Sequence, residues 1–238
     1  MTANSNPIFV IGSINTDMVA MTEVLPSPGE TVMGGEFMMT AGGKGANQAV
    51  AAARMGGDVT MIGRLGNDVF AEQSIKRLKS ENINCEFITK DTEKASGVAL
   101  ISVDQNGENH IVVAPGANET LTKEHLGSVL SQIPDNALVM MQLEIPLESV
   151  VSVIEFCAKS DKKIILDPAP ATNFTPEFTK SLYMITPNET EATALTGVKI
   201  KDLRDVKKAA IKLLGSGPQY VLITMGANGV YLASQNDE

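Results

Sequence analysis

Positive charge is scarce in this 238-residue sequence: 19 lysines and arginines stand against 28 aspartates and glutamates, a formal net charge of −9. That balance argues against nucleic acid or an anionic membrane as the main partner. It leaves room for a nucleotide, because Mg²⁺ and backbone dipoles can hold a few phosphates locally. Cysteine is scarce too. Cys85 and Cys157 are too few for a disulfide framework, and with His110 and His125 they show no zinc-ligand spacing. They read as buried or idle thiols. No apolar run reaches the length of a membrane span, and Met1–Pro7 lacks the basic and apolar regions of a signal peptide, so the expected compartment is the cytoplasm. There is no internal repeat, low-complexity segment or flexible linker. A chain of this length is one large domain or two small ones, and 43% hydrophobic residues are ample for a core.

Two familiar nucleotide loops are missing as well. A Walker A loop needs Ser or Thr after its Gly-Lys, and here Gly45 follows Lys44. A dinucleotide fingerprint needs a third glycine where Gln48 stands. What is present is the stretch from Thr40 to Gly57, a glycine-rich loop that runs straight into a helix. Gly42, Gly43 and Gly45 permit backbone angles and close approaches that a Cβ would block. Ala46 to Met55 is dominated by alanine and predicts a helix, which Gly56-Gly57 would stop. Small side chains let such a helix lie close to a sheet. Its free N–H groups would point at whatever the loop encloses, which suits an oxygen-rich or anionic ligand. The plain alternative is a tight turn before a packing helix.

The run Gly42-Gly43-Lys44-Gly45-Ala46-Asn47-Gln48-Ala49 resembles the first signature of the ribokinase-like sugar kinases. Its spelling is closer to the ribokinase branch than to the fructokinase or adenosine kinase branches. Other runs agree with the resemblance. Ile8 to Ile11 predicts a buried strand ending at Gly12, with Asn15 and Asp17 just beyond its carboxyl end. Spaced by two, Asn15 and Asp17 share a face if the chain stays extended, although turn chemistry explains them equally well. The family uses this Gly-Ser-x-Asn-x-Asp run on sugar hydroxyls. The resemblance therefore implies substrate contacts from Asn15, Thr16, Asp17, Gly43, Lys44, Gly45, Ala46 and Asn47, and from Glu144 within Met-Gln-Leu-Glu.

Extended segments at Met18 to Val24 and Met33 to Thr40 flank the turn Pro26 to Thr31. A second pair, Ala95 to Val103 and Asn109 to Val113, surrounds the hairpin signal Asn106-Gly107. By resemblance these regions, about 15–40 and 95–114, form a small lid sheet over the sugar, and lids of two subunits clasp into a homodimer. The remainder alternates strand and helix, the pattern of a doubly wound parallel sheet flanked by helices. Strands are predicted at Val59 to Gly63, Leu138 to Leu143, Lys163 to Leu166, Leu182 to Thr186 and Tyr220 to Thr224. Helices are predicted at Phe70 to Glu81, Leu121 to Leu130, Pro146 to Lys159, from Glu189, and at Leu203 to Leu214. Between two of these elements lies the proline-rich turn Asp167 to Ala171.

Pro187 to Glu191 resembles the family's Asn-x-x-Glu motif, with Asn188 near ATP and Glu191 holding Mg²⁺, usually through waters. Ordinary helix capping is the competing account of that pair. The glycine-bearing run Thr224, Met225, Gly226, Ala227, Asn228 and Gly229 implies a nucleotide turn, and by itself reads as a hairpin turn. The implied activity is ATP-dependent phosphorylation of the 5-hydroxyl of D-ribose. The alternatives are a kinase for another sugar or a nucleoside, and a non-catalytic sugar-binding or dimerising remnant. The family's second signature, Gly-Ala-Gly-Asp, holds its catalytic base and occurs nowhere in this sequence. No catalytic residue is therefore assigned. The expectation is one ribokinase-like α/β domain over 1–238, truncated at its C-terminus and inactive alone. The K⁺ site that the resemblance implies would lie in the missing part.

Overall fold

The structure, a computed structural model, describes residues 6–170 and 176–235. Most of the Met1–Pro7 leader reading, and Ala171 at the end of the proline-rich turn, lie outside the described residues. The chain opens with β1 (Ile8–Ile11), β2 (Asn15–Met21), β3 (Phe37–Gly42), α1 (Lys44–Arg54) and β4 (Val59–Gly66). Next come α2 (Val69–Ser80), β5 (Asn84–Asp91), β6 (Gly97–Val103), β7 (Asn109–Ala114), α3 (Lys123–Leu130) and β8 (Leu138–Met141). They are followed by α4 (Leu147–Lys159), β9 (Lys163–Leu166), β10 (Met184–Ile185), α5 (Glu189–Thr196), α6 (Leu203–Leu214), β11 (Tyr220–Thr224) and β12 (Val230–Ser234).

Two compact units result, one made of Gly12–Leu121 and the other of Met1–Ile11 with Thr122–Glu238. In the first, β4, α2 and β5 form a parallel β-α-β unit, and a separate four-stranded sheet runs β3-β2-β6-β7. β2 pairs antiparallel with β3 and parallel with β6, so the two expected strand pairs become one sheet. The small sheet expected as a lid is present. Its hairpin turns at Gly107, whose φ of 83° suits glycine, while Asp104 Oδ1 accepts from the N–H groups of Asn106 and Glu108.

The second unit is a sheet in the order β12-β11-β10-β9-β8-β1, parallel except for β12. Helices pack on it through apolar stripes. On α6, Val206, Ala209, Ala210 and Leu213 recur at helical spacing and are buried, and burying a Val or Leu side chain is worth about 1.5–3 kcal/mol. Val139, Met141, Ile164, Leu166, Ile185, Val221 and Ile223 of the strands are fully buried. None of the described helices is long and apolar enough to cross a membrane.

Several boundaries differ from expectation. β2 begins at Asn15, three residues before the expected Met18, because the backbones of Asn15 and Thr16 pair with β3 on one side and β6 on the other. Correspondingly, β3 starts at Phe37 and reaches Gly42. β8 stops at Met141, and Leu143 N instead donates to Ala169 O. The strand expected over Leu182 to Thr186 is reduced to Met184–Ile185. The helix expected from Leu121 begins at Lys123, after a separate 3-10 turn at Gly116–Thr120. Two strands, β5 and β12, were not foreseen.

Candidate functional site

In the Gly12–Leu121 unit, the residues expected to meet the sugar are set by close backbone packing. α1 begins at Lys44 rather than Ala46, so Lys44 and Gly45 belong to its first turn and Gly43 is its N-cap, at φ 89°. A Cβ on Gly43 would stand 2.7 Å from Asn15 N, and one on Gly45 2.7 Å from Gly12 C and Ser13 N. Only glycine lets the helix start press on this segment. That packing also corrects the expectation of free N–H groups at the helix start. Gly45 N donates to Ser13 Oγ at 3.3 Å, Ala46 N to Ser13 O at 2.9 Å, and Asn47 N to Gly43 O at 2.9 Å. The amides of Gly45, Ala46 and Asn47 are thus satisfied within the chain, and the glycines serve packing.

Asn15 and Asp17 do share one face of β2, as their spacing predicts. The Asp17 carboxylate lies against the α-carbon of Gly42, leaving no room for a Cβ there. Thr16 points to the opposite face and lines a 180 Å³ cleft with Gln73, Ser74 and Arg77, so its side chain does not join Asn15 and Asp17. Lys44 is half-buried and Asn47 is exposed.

The residue that sequence reasoning missed is Asn118, only 1% exposed. It accepts from Ile14 N at 2.9 Å through Oδ1. Its Nδ2 donates to Asn15 Oδ1 at 2.8 Å, to Pro115 O at 2.9 Å and to Ile14 O at 3.3 Å. Asn118 therefore fixes the rotamer of Asn15 across a separation of 103 residues. The amide plane of Asn15 is clamped further by Gly97, whose missing side chain leaves room for both amides. Asn118 sits in Gly116-Ala-Asn118, a run that reads as an ordinary turn, and only the tertiary pairing reveals its role.

Two carboxylates buttress the same region. Asp68 caps α2 through Ala71 N at 2.9 Å and accepts from Ser96 N and Ser96 Oγ, both at 2.7 Å, next to Gly97. Burial pushes its pKa up, but the Ser96 N–H and O–H, with the helix-start amides, outweigh that and hold it below the usual carboxylate range. Asp91 accepts from Thr120 Oγ at 2.6 Å and from Arg64 Nε at 3.1 Å. The Thr120 hydroxyl, then the N–H groups of Glu93 and Lys94, hold its carboxyl well below that range.

In the other unit, β10 and β11 bring Asn188 and Thr224, two of the residues expected to meet the nucleotide, together at their carboxyl ends. Thr224 N donates to Pro187 O at 3.0 Å, and Asn188 and Thr224 face each other in a parallel bridge. The run after Thr224 is the hairpin turn into β12, closed by Met225 N on Gly229 O at 2.9 Å, with Gly226 at φ 54° and Gly229 at φ 86°. Asn188 and Glu191 form a reciprocal capping box at the start of α5. Asn188 Oδ1 accepts from Glu191 N, and Glu191 Oε2 accepts from Asn188 N, both at 2.9 Å. Glu191 is 8% exposed. The capping account of this pair is thus seen directly. Glu144 belongs to this unit as well, half-buried three residues after β8.

A divalent cation held by protein alone needs several carboxylates, and among the described residues no cluster of three or more His, Cys, Asp or Glu is poised for one. A Mg²⁺ arriving with nucleotide phosphates needs only one or two carboxylates, and Glu191 beside Asn188 fits that smaller requirement.

The sequence pattern of the pfkB family carbohydrate kinases matches residues 5–238. The ribokinase of Haemophilus influenzae is 39% identical over 224 residues, covering 94% of this chain and 73% of the relative. The deoxyribokinase of Salmonella typhi is 36% identical over 232 residues, covering 97% of this chain and 76% of the relative. Among solved structures, the Arabidopsis thaliana ribokinase complexed with ribose and ATP superposes with a TM-score of 0.90 at 29% identity, covering 98% of this chain and 76% of that one. With the glycine-packed helix start of one unit and the paired strand ends of the other, these likenesses settle the family: the chain belongs to the pfkB family of carbohydrate kinases.

Proposed function

We propose that the residues of this chain serve the phosphorylation of D-ribose by ATP, at the sugar's 5-hydroxyl. The observation that supports this best is the pairing of Asn15 and Asp17 on one face of β2, with Asn15 held by Asn118. A carboxylate accepts from hydroxyls and an amide offers both donors and acceptors, so the pair matches vicinal hydroxyls of a small sugar. Gly43, Lys44, Gly45, Ala46 and Asn47 border that face, Lys44 supplies an ammonium, and Glu144 adds a further sugar contact. Asn188 and the turn Thr224 to Gly229 serve the nucleotide, and Glu191 the Mg²⁺ that accompanies it. When bound, Mg²⁺ neutralises charge on the phosphates. The chain's own contribution is positioning, since phosphoryl transfer depends chiefly on alignment and electrostatics. We assign no residue as the base for the hydroxyl proton. The compartment we assign is the cytoplasm, where ATP is supplied.

The similarity to a deoxyribokinase makes 2-deoxy-D-ribose the second reading. Titration calorimetry of D-ribose, 2-deoxy-D-ribose and D-glucose into the chain decides between them. D-Ribose is expected to bind tightest, and preference for the deoxy sugar would move the substrate to the second reading. No discrimination from D-glucose would overturn both.

Self-association as a homodimer through the small sheet is part of the same proposal. Phe37 and Met39 of β3, Leu100 of β6 and Val112 of β7 share one face by register, and all four are exposed. Light scattering of the wild-type chain against V112E should show a dimer converted to a monomer, and a monomeric wild type would refute it.

A further inference from the structure

We propose that a second, basic hollow on this chain binds a phosphate group, apart from the residues assigned to sugar and nucleotide. It lies at the amino-terminal ends of β9, β10 and β11 and the carboxyl end of the antiparallel β12, whereas Asn188 and Thr224, proposed for the nucleotide, lie at the carboxyl ends of β10 and β11. Its volume is about 600 Å³, within the range of small-molecule sites, and its lining is polar. Lys162, Lys163 and Lys180 all border it, with Asp161 the one carboxylate of the lining.

Lys162 and Lys163 have fixed side chains, and Lys180 is fixed at its backbone. Lys162 has a buried side chain, 2% exposed, tied to Asp135 at 2.8 Å. Lys163 Nζ sits 4.6 Å above the centre of the Tyr183 ring, a cation–π contact that fixes the ammonium without neutralising it. The backbone of Lys180 packs on Gly217, which has φ 129° and no space for a Cβ. Among the described residues neither Lys163 nor Lys180 has an ion-pair partner. The strand ends beneath are rigid as well: Tyr220 N donates to Tyr183 O at 3.0 Å, and Gln235 Nε2 donates to Gly217 O and Pro218 O.

Lys162 is neutralised by Asp135, but Lys163 and Lys180 leave two uncompensated positive charges at one hollow, which repel each other in a chain whose net charge is −9. An anion with several acceptor oxygens relieves the repulsion, and three-donor ammoniums suit phosphate as point charges. The hollow is larger than one phosphate, so a phosphomonoester of a small molecule fills it better than the free ion. Tyr183, whose ring is backed by that of Tyr220 at 5.1 Å, and Gln219 line the hollow and offer surfaces for the rest of such a molecule.

The test is amide NMR of the whole chain titrated at constant ionic strength with inorganic phosphate, with glycerol 1-phosphate, and with chloride as control. Saturable shifts at Tyr183, Gly217 and Gln219 are expected with both phosphates, tighter for the monoester. In K163Q/K180Q, affinity should fall about tenfold or more, as expected for losing charge-assisted hydrogen bonds. K180Q alone, at an exposed position, keeps the test decisive should the double variant fold poorly, and is expected to weaken binding in the same direction. Equal binding of free phosphate and monoester would assign the site to phosphate itself. Shifts that match chloride, or that persist unchanged in K180Q, would overturn the proposal.

Discussion

The two glycine-bearing runs of this chain need glycine for different reasons. At Gly43 and Gly45 a Cβ would meet backbone atoms at 2.7 Å. At Gly226 and Gly229 it would meet nothing within 4 Å, and only the left-handed φ asks for glycine. The contrast extends to whole units. In Gly12–Leu121, bonds reach far along the chain, Asn118 to Asn15 and Ser96 to Asp68 among them. In the other unit, Asn188, Glu191 and Thr224, proposed for the nucleotide, are set by a strand pairing and a local cap. The geometry around Asn15 is thus fixed by side-chain bonds between distant segments, and that around Asn188 and Thr224 by backbone strand pairing and a local cap. Changes around the first should propagate, and changes around the second should stay where they are made.

The largest effect is expected from Gly45→Ala, which overpacks backbone against backbone and should cost about 3 kcal/mol in denaturant unfolding, with sugar binding lost. A variant as stable as wild type would remove the packing role. Asn118→Ala follows, at roughly 2–3 kcal/mol, because Ile14 N is left without its buried partner and Asn15 without its clamp. D-Ribose affinity should fall with it while nucleotide affinity stays, as calorimetry with each ligand can show. Gly226→Ala is expected to cost only about 1–2 kcal/mol, the left-handed penalty, with sugar binding unchanged. A larger loss would mean that the turn is as tightly packed as the helix start.

Acid gives the smallest effect at neutral pH. Asp68 and Asp91 have folded pKa values below the usual carboxylate range. Their contribution to stability is fully present above the unfolded value, about pH 3.9, and is lost as pH falls through the folded values. Thermal melts should therefore hold level down to about pH 4 and drop below it. Asp68→Asn should lower the plateau and shallow the acid limb, and an acid limb identical to wild type would deny the buttressing role.

Much of the fold was legible because its signals are local. Ile8 to Ile11, the alanine run of α1, the Asn-Gly turn and the period of α6 each declare their element within a few residues. Glycines at 42, 43 and 45 were legible as close-approach positions, but the partner of that approach, Ser13, was not, so amides that look free in sequence are satisfied in the fold. Propensity places the start of β2 at Met18, because Asn15 and Asp17 are turn formers, and strand pairing on both sides overrides that preference. Asn118 was invisible for the same reason: its importance lies in a contact 103 residues away.

The division between the two sides is tested most directly by following backbone amide shifts of the whole chain as D-ribose and a non-hydrolysable Mg·ATP analogue are added separately. D-Ribose is predicted to move the signals of Asn15 to Asp17 and Gly42 to Asn47, leaving Thr224 to Gly229 in place. The nucleotide is predicted to move Asn188 to Glu191 and Thr224 to Gly229. Ribose-induced shifts centred on Thr224 to Gly229, or one set of shifts common to both ligands, would contradict it.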